Sequence, residues 1–212
     1  MFNELKSILE SLNYDPANLS HSSTGDGRLD SAESEEGIIK FLMDKLSSPD
    51  FHIESAPARF WYDVKMCYKG EYFPINIKIT AGKGADNVSS KEGMFYALTG
   101  INPTEVVGLN KWEGYIQSIQ KYIKYNNNAD YYFLVYFKNE GKFLFTSLKR
   151  LETLTPNGNN LPFQCNWSKN KIPTTRSKAD QEKYILGVFT QSFMRKANGL
   201  EALLAWRDRD YE

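Results

Sequence analysis

The chain is poor in the residues that most often staple or metallate a small protein. Its 212 residues include two cysteines, Cys67 and Cys165, and two histidines, His21 and His52. The cysteines lie far apart with no CxxC spacing, which argues against a zinc site and against a disulfide scaffold. Free thiols fit a reducing cytosol. Neither histidine has a partner pattern, and both read as incidental. Charge of one sign is also missing: Lys plus Arg equals Asp plus Glu at 26 each. That balance does not advertise a polyanionic partner, although a local basic surface would suffice for one. No apolar run approaches the roughly 18 residues a membrane helix needs. The amino-terminal MFNELKSILESL is charged and amphipathic, with no signal-peptide core. A soluble, cytoplasmic protein with no membrane contact is expected.

Apolar residues make up 41% of the chain, with 13 Tyr and 13 Phe. This is a globular composition, and the length suits one domain over residues 1–212. Phe2, Leu5, Ile8, Leu9 and Leu12 predict a first helix. A polar stretch, HSSTGDGRLDS, follows as loop. Ser31 then caps a second helix whose first turns carry Glu33, Glu35 and Glu36. Its apolar face is Ile38, Ile39, Leu42, Met43 and Leu46. Arg59–Tyr68 and Tyr72–Thr80 read as two strands of a hairpin turning at Lys69-Gly70-Glu71. A Gly-rich loop leads to a short helix over 91–98. The spacing predicts another helix over 112–125. Tyr131–Phe137 and Lys142–Ser147 read as strands. A polar stretch from about 153 to 177 precedes a helix over 178–196 and a shorter segment ending in Leu203, Leu204 and Trp206. This order predicts an α/β fold, a mixed β-sheet flanked by α-helices.

The informative constellation is the hairpin. Asp63 stands on its first strand. Asn76 and Lys78 stand two apart on its second, so they share a face. A carboxylate, an amide oxygen and a lysine on one sheet face suit metal-assisted phosphodiester hydrolysis. The oxygens are hard ligands for Mg²⁺, which polarises a phosphate and acidifies a water. The lysine ammonium stabilises charge on the transition state. Asn76 and Lys78 also fit the ordinary solvated face of a strand, and an Asp63–Lys78 surface ion pair on an unrelated α/β binding protein.

At these residues the chain resembles the PD-(D/E)xK nuclease superfamily, and within it the type II restriction endonucleases. Tyr62-Asp63 matches the family's Asp at the start of one strand. Asn76-Ile77-Lys78 matches its acidic-x-Lys triplet on the next, with Asn76 in place of the acidic residue. The segment Ala85-Asp86-Asn87 and the run SKEGMFYALTG are also similar, as is the order of a helix before the hairpin and a strand pair after it. The likeness covers roughly residues 31–147.

The resemblance implies a restriction-endonuclease-like fold and a Mg²⁺ ion held by Asp63, Asn76 and the Ile77 carbonyl. Lys78 would assist catalysis, with a further carboxylate from the preceding helix, Glu35 or its competitor Glu36. It implies cleavage of double-stranded DNA at a short, palindromic sequence by a homodimer, with a cognate DNA methyltransferase as genetic partner. A silent DNA-binding module of the same fold and a monomeric repair or nicking nuclease are the alternatives. DNA contacts are expected from the loop residues Lys83, Asn87, Ser89, Ser90 and Lys91. They are also expected from Gln164, Asn166, Lys169, Asn170, Lys171 and Arg176, where Lys and Arg would meet phosphates and the amides would read base edges.

Overall fold

A computed structural model of the chain describes residues 1–19, 27–88, 91–126 and 128–207. Its elements run α1 (Phe2–Ser11), α2 (Gly27–Lys45), β1 (Phe51–Ser55), β2 (Val64–Tyr68), β3 (Glu71–Thr80) and β4 (Asp86–Asn87). They continue α3 (Lys91–Thr99), α4 (Trp112–Tyr122), β5 (Tyr132–Phe137), β6 (Lys142–Ser147), β7 (Thr155–Pro156), β8 (Phe163–Cys165) and α5 (Lys178–Arg207). The class is α/β, as the periodicities predict. The chain packs as two compact units, Met1–Lys83 with Asp130–Leu148, and Gly84–Ala129 with Lys149–Glu212. No helix among the described residues is long and apolar enough to cross a membrane.

The first unit is built around the hairpin. Lys69 and Gly70 take φ of 48° and 81°, the two consecutive positive values of a type I′ turn, whose twist matches that of the flanking strands. The turn pairs Tyr68 with Glu71 and, further along, Val64 with Ile75. Five strands follow in the spatial order β1-β2-β3-β5-β6. All neighbours are antiparallel except β3 and β5, which run parallel with Asn76 beside Phe133 and Lys78 beside Val135. The result is a mixed sheet.

Strand alternation sends Met66, Phe73, Ile75, Ile77, Leu134, Tyr136 and Phe145 into one core, together with Leu5 and Leu9 of α1 and Ile38, Leu42 and Leu46 of α2. Full burial of each such side chain contributes about 1.5–3 kcal/mol. The same alternation turns Asn76 and Lys78 to the opposite face of β3. The remaining side chains of β5 make that face apolar too, with Phe133 and Val135 fully buried.

In the second unit, α3 packs against α4, and α5 packs against β7 and β8. The short strands form a three-stranded antiparallel sheet in the order β4-β8-β7. Asn87 and Thr155 both pair with Gln164 across it.

Several sequence expectations are corrected. The strand β1 was not foreseen: FHIES is only five residues long and directly follows Pro49-Asp50. The strand expected from Arg59 starts at Val64. Before it, Phe60 N–H donates to the Pro57 carbonyl and Arg59 takes φ of 63°, which turn the chain. The helix α2 begins at Gly27, so Ser31 lies inside it and is not its cap. The polar stretch 153–177 contains β7, β8 and a 3₁₀ turn at Trp167–Asn170. The last helix is continuous from Lys178 to Arg207, with Gly199 tolerated inside it.

Candidate active site

Asp63 is placed by backbone geometry at the point where β2 opens. Its N–H donates to the Ile75 carbonyl at 2.9 Å. Its Oδ2 accepts the Ile77 N–H at 2.7 Å. The carboxylate therefore lies along the edge of β3 at the central residue of the Asn76-Ile77-Lys78 triplet. A strand residue directs its N–H and C=O to the same side, so the Ile77 carbonyl is aimed at this edge as well.

The loop that carries Asp63 is held by aromatic packing. Trp61 and Tyr62 pack edge-to-face at 4.7 Å, and Tyr62 meets Tyr72 of β3 at 6.3 Å. The buried Tyr131 hydroxyl donates to the Trp61 carbonyl at 2.6 Å. These positioning residues carry no motif. Only the aromatic run from Phe60 to Tyr62 hinted at them.

The electrostatics of the triplet are unbalanced. Burial pushes the Asp63 carboxyl above its ordinary value, opposed by the Ile77 N–H and by the nearby Lys78 charge. Asn76 Oδ1 is a buried acceptor without a hydrogen-bond donor among the described residues. Leaving such a group unsatisfied costs about 1–3 kcal/mol. A desolvated carboxylate, an orphaned amide oxygen and a backbone carbonyl are three hard oxygen donors carried by Asp63 and the adjoining triplet. That donor set fits a divalent cation such as Mg²⁺. It does so without a carboxylate cluster: among the described residues no group of three or more His, Cys, Asp or Glu side chains could hold a metal. Of the two helix candidates, Glu35 is half-buried beside the buried Ser34, whereas Glu36 is exposed. Glu35 is therefore the one on the core-facing side of α2.

The expected DNA contacts separate into two groups. Lys83 is exposed just after β3, and Asn87, Lys169 and Lys171 are exposed in the second unit. Gln164 donates through Nε2 to Asn87 Oδ1 at 3.2 Å. Asn166 caps the 3₁₀ turn by accepting the Ser168 N–H at 3.0 Å. Ser89 and Ser90 lie outside the described residues.

Three others are engaged within the chain. Asn170 is 1% exposed. Its amide bonds Thr153 N and O and Asn166 O at 2.9, 3.0 and 2.8 Å. Arg176 donates to Glu152 O and Gln181 Oε1 and stacks 4.0 Å over the Tyr184 ring. Lys91 donates to Leu109 O at 2.6 Å with its ammonium over Trp112. Sequence shows the residue type but not whether its polar atoms are already engaged.

Comparison with protein-family models, with curated proteins and with solved structures finds no match to this chain.

Proposed function

We propose that the chain is a Mg²⁺-dependent, site-specific deoxyribonuclease of the PD-(D/E)xK type, the restriction component of a restriction-modification system. The observation that carries the reading is the Asp63 carboxylate hydrogen-bonded to Ile77 N–H between Asn76 and Lys78. The order of α2, the hairpin, the α3–α4 region and then β5 and β6 agrees with the core order that the resemblance implies.

In this reading Asp63, Asn76 Oδ1 and the Ile77 carbonyl hold the ion. When bound, Mg²⁺ polarises the scissile phosphate and makes a water acidic enough to attack it. Lys78 holds its cation on the same face, where it orients the water and stabilises negative charge on the phosphorus oxygens. The resemblance draws a further carboxylate from α2, where Glu35 is the candidate, although α2 packs on the face of β3 opposite Asn76 and Lys78. Asn76 carries no charge where an acidic residue is usual, so affinity for the ion is lower and Asp63 dominates it. Lys83, Lys169 and Lys171 meet phosphates. A double-strand break needs two such centres, so the working unit is a homodimer on a palindromic site. A cognate methyltransferase protects host DNA.

The single carboxylate of the triplet favours one second reading, a DNA-binding module that has lost cleavage. A plasmid digest in Mg²⁺ decides between them. Discrete fragments support restriction. Nicked circles identify a nicking enzyme. Intact plasmid with retained duplex binding identifies the silent module.

A further inference from the structure

The three-stranded sheet of the second unit carries a chain of amides whose orientation is dictated from the backbone. Asn157 Oδ1 accepts the N–H groups of Asn159 and Asn160 at 3.0 and 3.2 Å. Backbone N–H groups only donate, so the oxygen of Asn157 is identified by its partners and its Nδ2 must face the other way. That Nδ2 donates to Asn87 at 3.3 Å. The atom of Asn87 facing it must then be Oδ1. The same Oδ1 meets Gln164 at 3.2 Å, so Gln164 must present Nε2 there. A choice that is normally ambiguous for three amides is thereby fixed along the series 159/160, 157, 87, 164.

The outward groups follow. Gln164 keeps Oε1 and its second Nε2 hydrogen, an acceptor beside a donor. Asn87 keeps only donors. Both residues stand in a row with Thr155 across β4, β8 and β7. Asn87 and Thr155 are exposed and Gln164 is half-exposed. Phe163 and Cys165, which flank Gln164 on β8, are fully buried. The row is the outer face of a short three-stranded antiparallel sheet.

We infer that this row reads the recognition sequence, and that Gln164, clamped by Asn87, selects an adenine. Adenine presents an N6 donor beside an N7 acceptor in the major groove, the complement of a paired amide oxygen and N–H. Guanine presents two acceptors there and would leave Oε1 without a donor. The donors of Asn87 serve an acceptor on the neighbouring base. Asn157 is a positioning residue: its oxygen is taken up by the turn, and it acts by fixing which way Gln164 faces. The inference rests on the DNA-cleavage reading for the identity of the polymer.

The test is selection of duplexes from a randomised pool by the full-length protein in Ca²⁺, followed by affinity measurements on the winning duplex. The wild type is expected to enrich a sequence with at least one fixed A·T pair. Gln164→Ala should lose preference at one such pair alone, by roughly ten- to a hundredfold. Replacing that adenine by 7-deazaadenine should weaken the wild type and leave Gln164→Ala unaffected. Asn157→Asp keeps the oxygen that accepts from Asn159 and Asn160, and so keeps the turn, but it removes the donor to Asn87. It should lose the same adenine preference with Gln164 untouched. An unchanged sequence profile in Gln164→Ala overturns the inference, as does a selected site of G·C pairs only or the absence of any selected sequence. Adenine-selective binding without cleavage in Mg²⁺ would uphold this inference and sink the nuclease reading instead.

Discussion

Asn76→Leu is expected to make the protein more stable and inactive at once. Leu keeps the branching and heavy-atom count of Asn in a larger volume, and the neighbour across the parallel ladder is the fully buried Phe133. The substitution removes the orphaned Oδ1. Desolvating an unpaired amide oxygen costs about 1–3 kcal/mol, and an apolar group of the same shape escapes that cost. For a chain of this size each kcal/mol moves Tm by about 2–4 °C, so the variant should melt about 2–12 °C higher in EDTA. Bound magnesium should offset that advantage. An ion that binds only the folded state adds about 2.7 kcal/mol at a hundredfold excess over Kd. The wild type should gain that increment and the variant little of it. Thermal unfolding by circular dichroism, with EDTA and with a Mg²⁺ series, reads both effects. The reasoning is refuted if Asn76→Leu melts lower than wild type in EDTA, or if Mg²⁺ leaves the wild-type Tm unmoved.

Asp63→Asn should abolish cleavage while duplex binding survives, since losing a negative charge near phosphate does not weaken attraction; undiminished cleavage sinks the assignment. Because burial raises the folded carboxyl above its ordinary value, the folded state holds that proton more tightly than the unfolded one. Stability from this group is therefore present below the unfolded value and lost as pH rises through the folded value. Metal-free Asp63→Asn should melt higher than wild type at neutral pH, with a flatter dependence on acid pH; an identical pH profile counts against the burial. Lys78→Ala should lower the cleavage rate about 10²–10³-fold, the usual cost of one transition-state donor, and wild-type rates would reduce the triplet to strand surface. Asn170→Ala loses three buried hydrogen bonds, about 3 kcal/mol in total. A urea titration showing a loss under about 1 kcal/mol would contradict its structural role. Charge removal at Lys169 should reduce the slope of log K against log salt by about 0.9 if it meets one phosphate, and an unchanged slope places it away from DNA.

What the sequence alone determined is what short-range physics controls. The alternation Ile75, Ile77, Ile79 specifies a strand with one buried face, because side chains alternate every residue whatever the strand pairs with. Lys69-Gly70 closes the hairpin because glycine takes the positive φ a two-residue turn requires. Together they bring Asp63 to the triplet, so the candidate site was legible before any coordinates.

Tertiary structure decided the rest. Whether β3 pairs with β5, more than fifty residues on, is not written in either strand, because each is apolar enough to pair with many partners. That pairing sets Phe133 beside Asn76 and so belongs to the surroundings that leave its oxygen without a donor. Burial likewise distinguishes Asn170, with its amide engaged, from Asn87, with donors to spare, although both are asparagines in polar stretches. The series from Asn157 through Asn87 to Gln164 joins residues 70 and 77 positions apart. No local pattern encodes it, because a hydrogen bond depends on where two backbones end up and not on how far apart they lie in the chain.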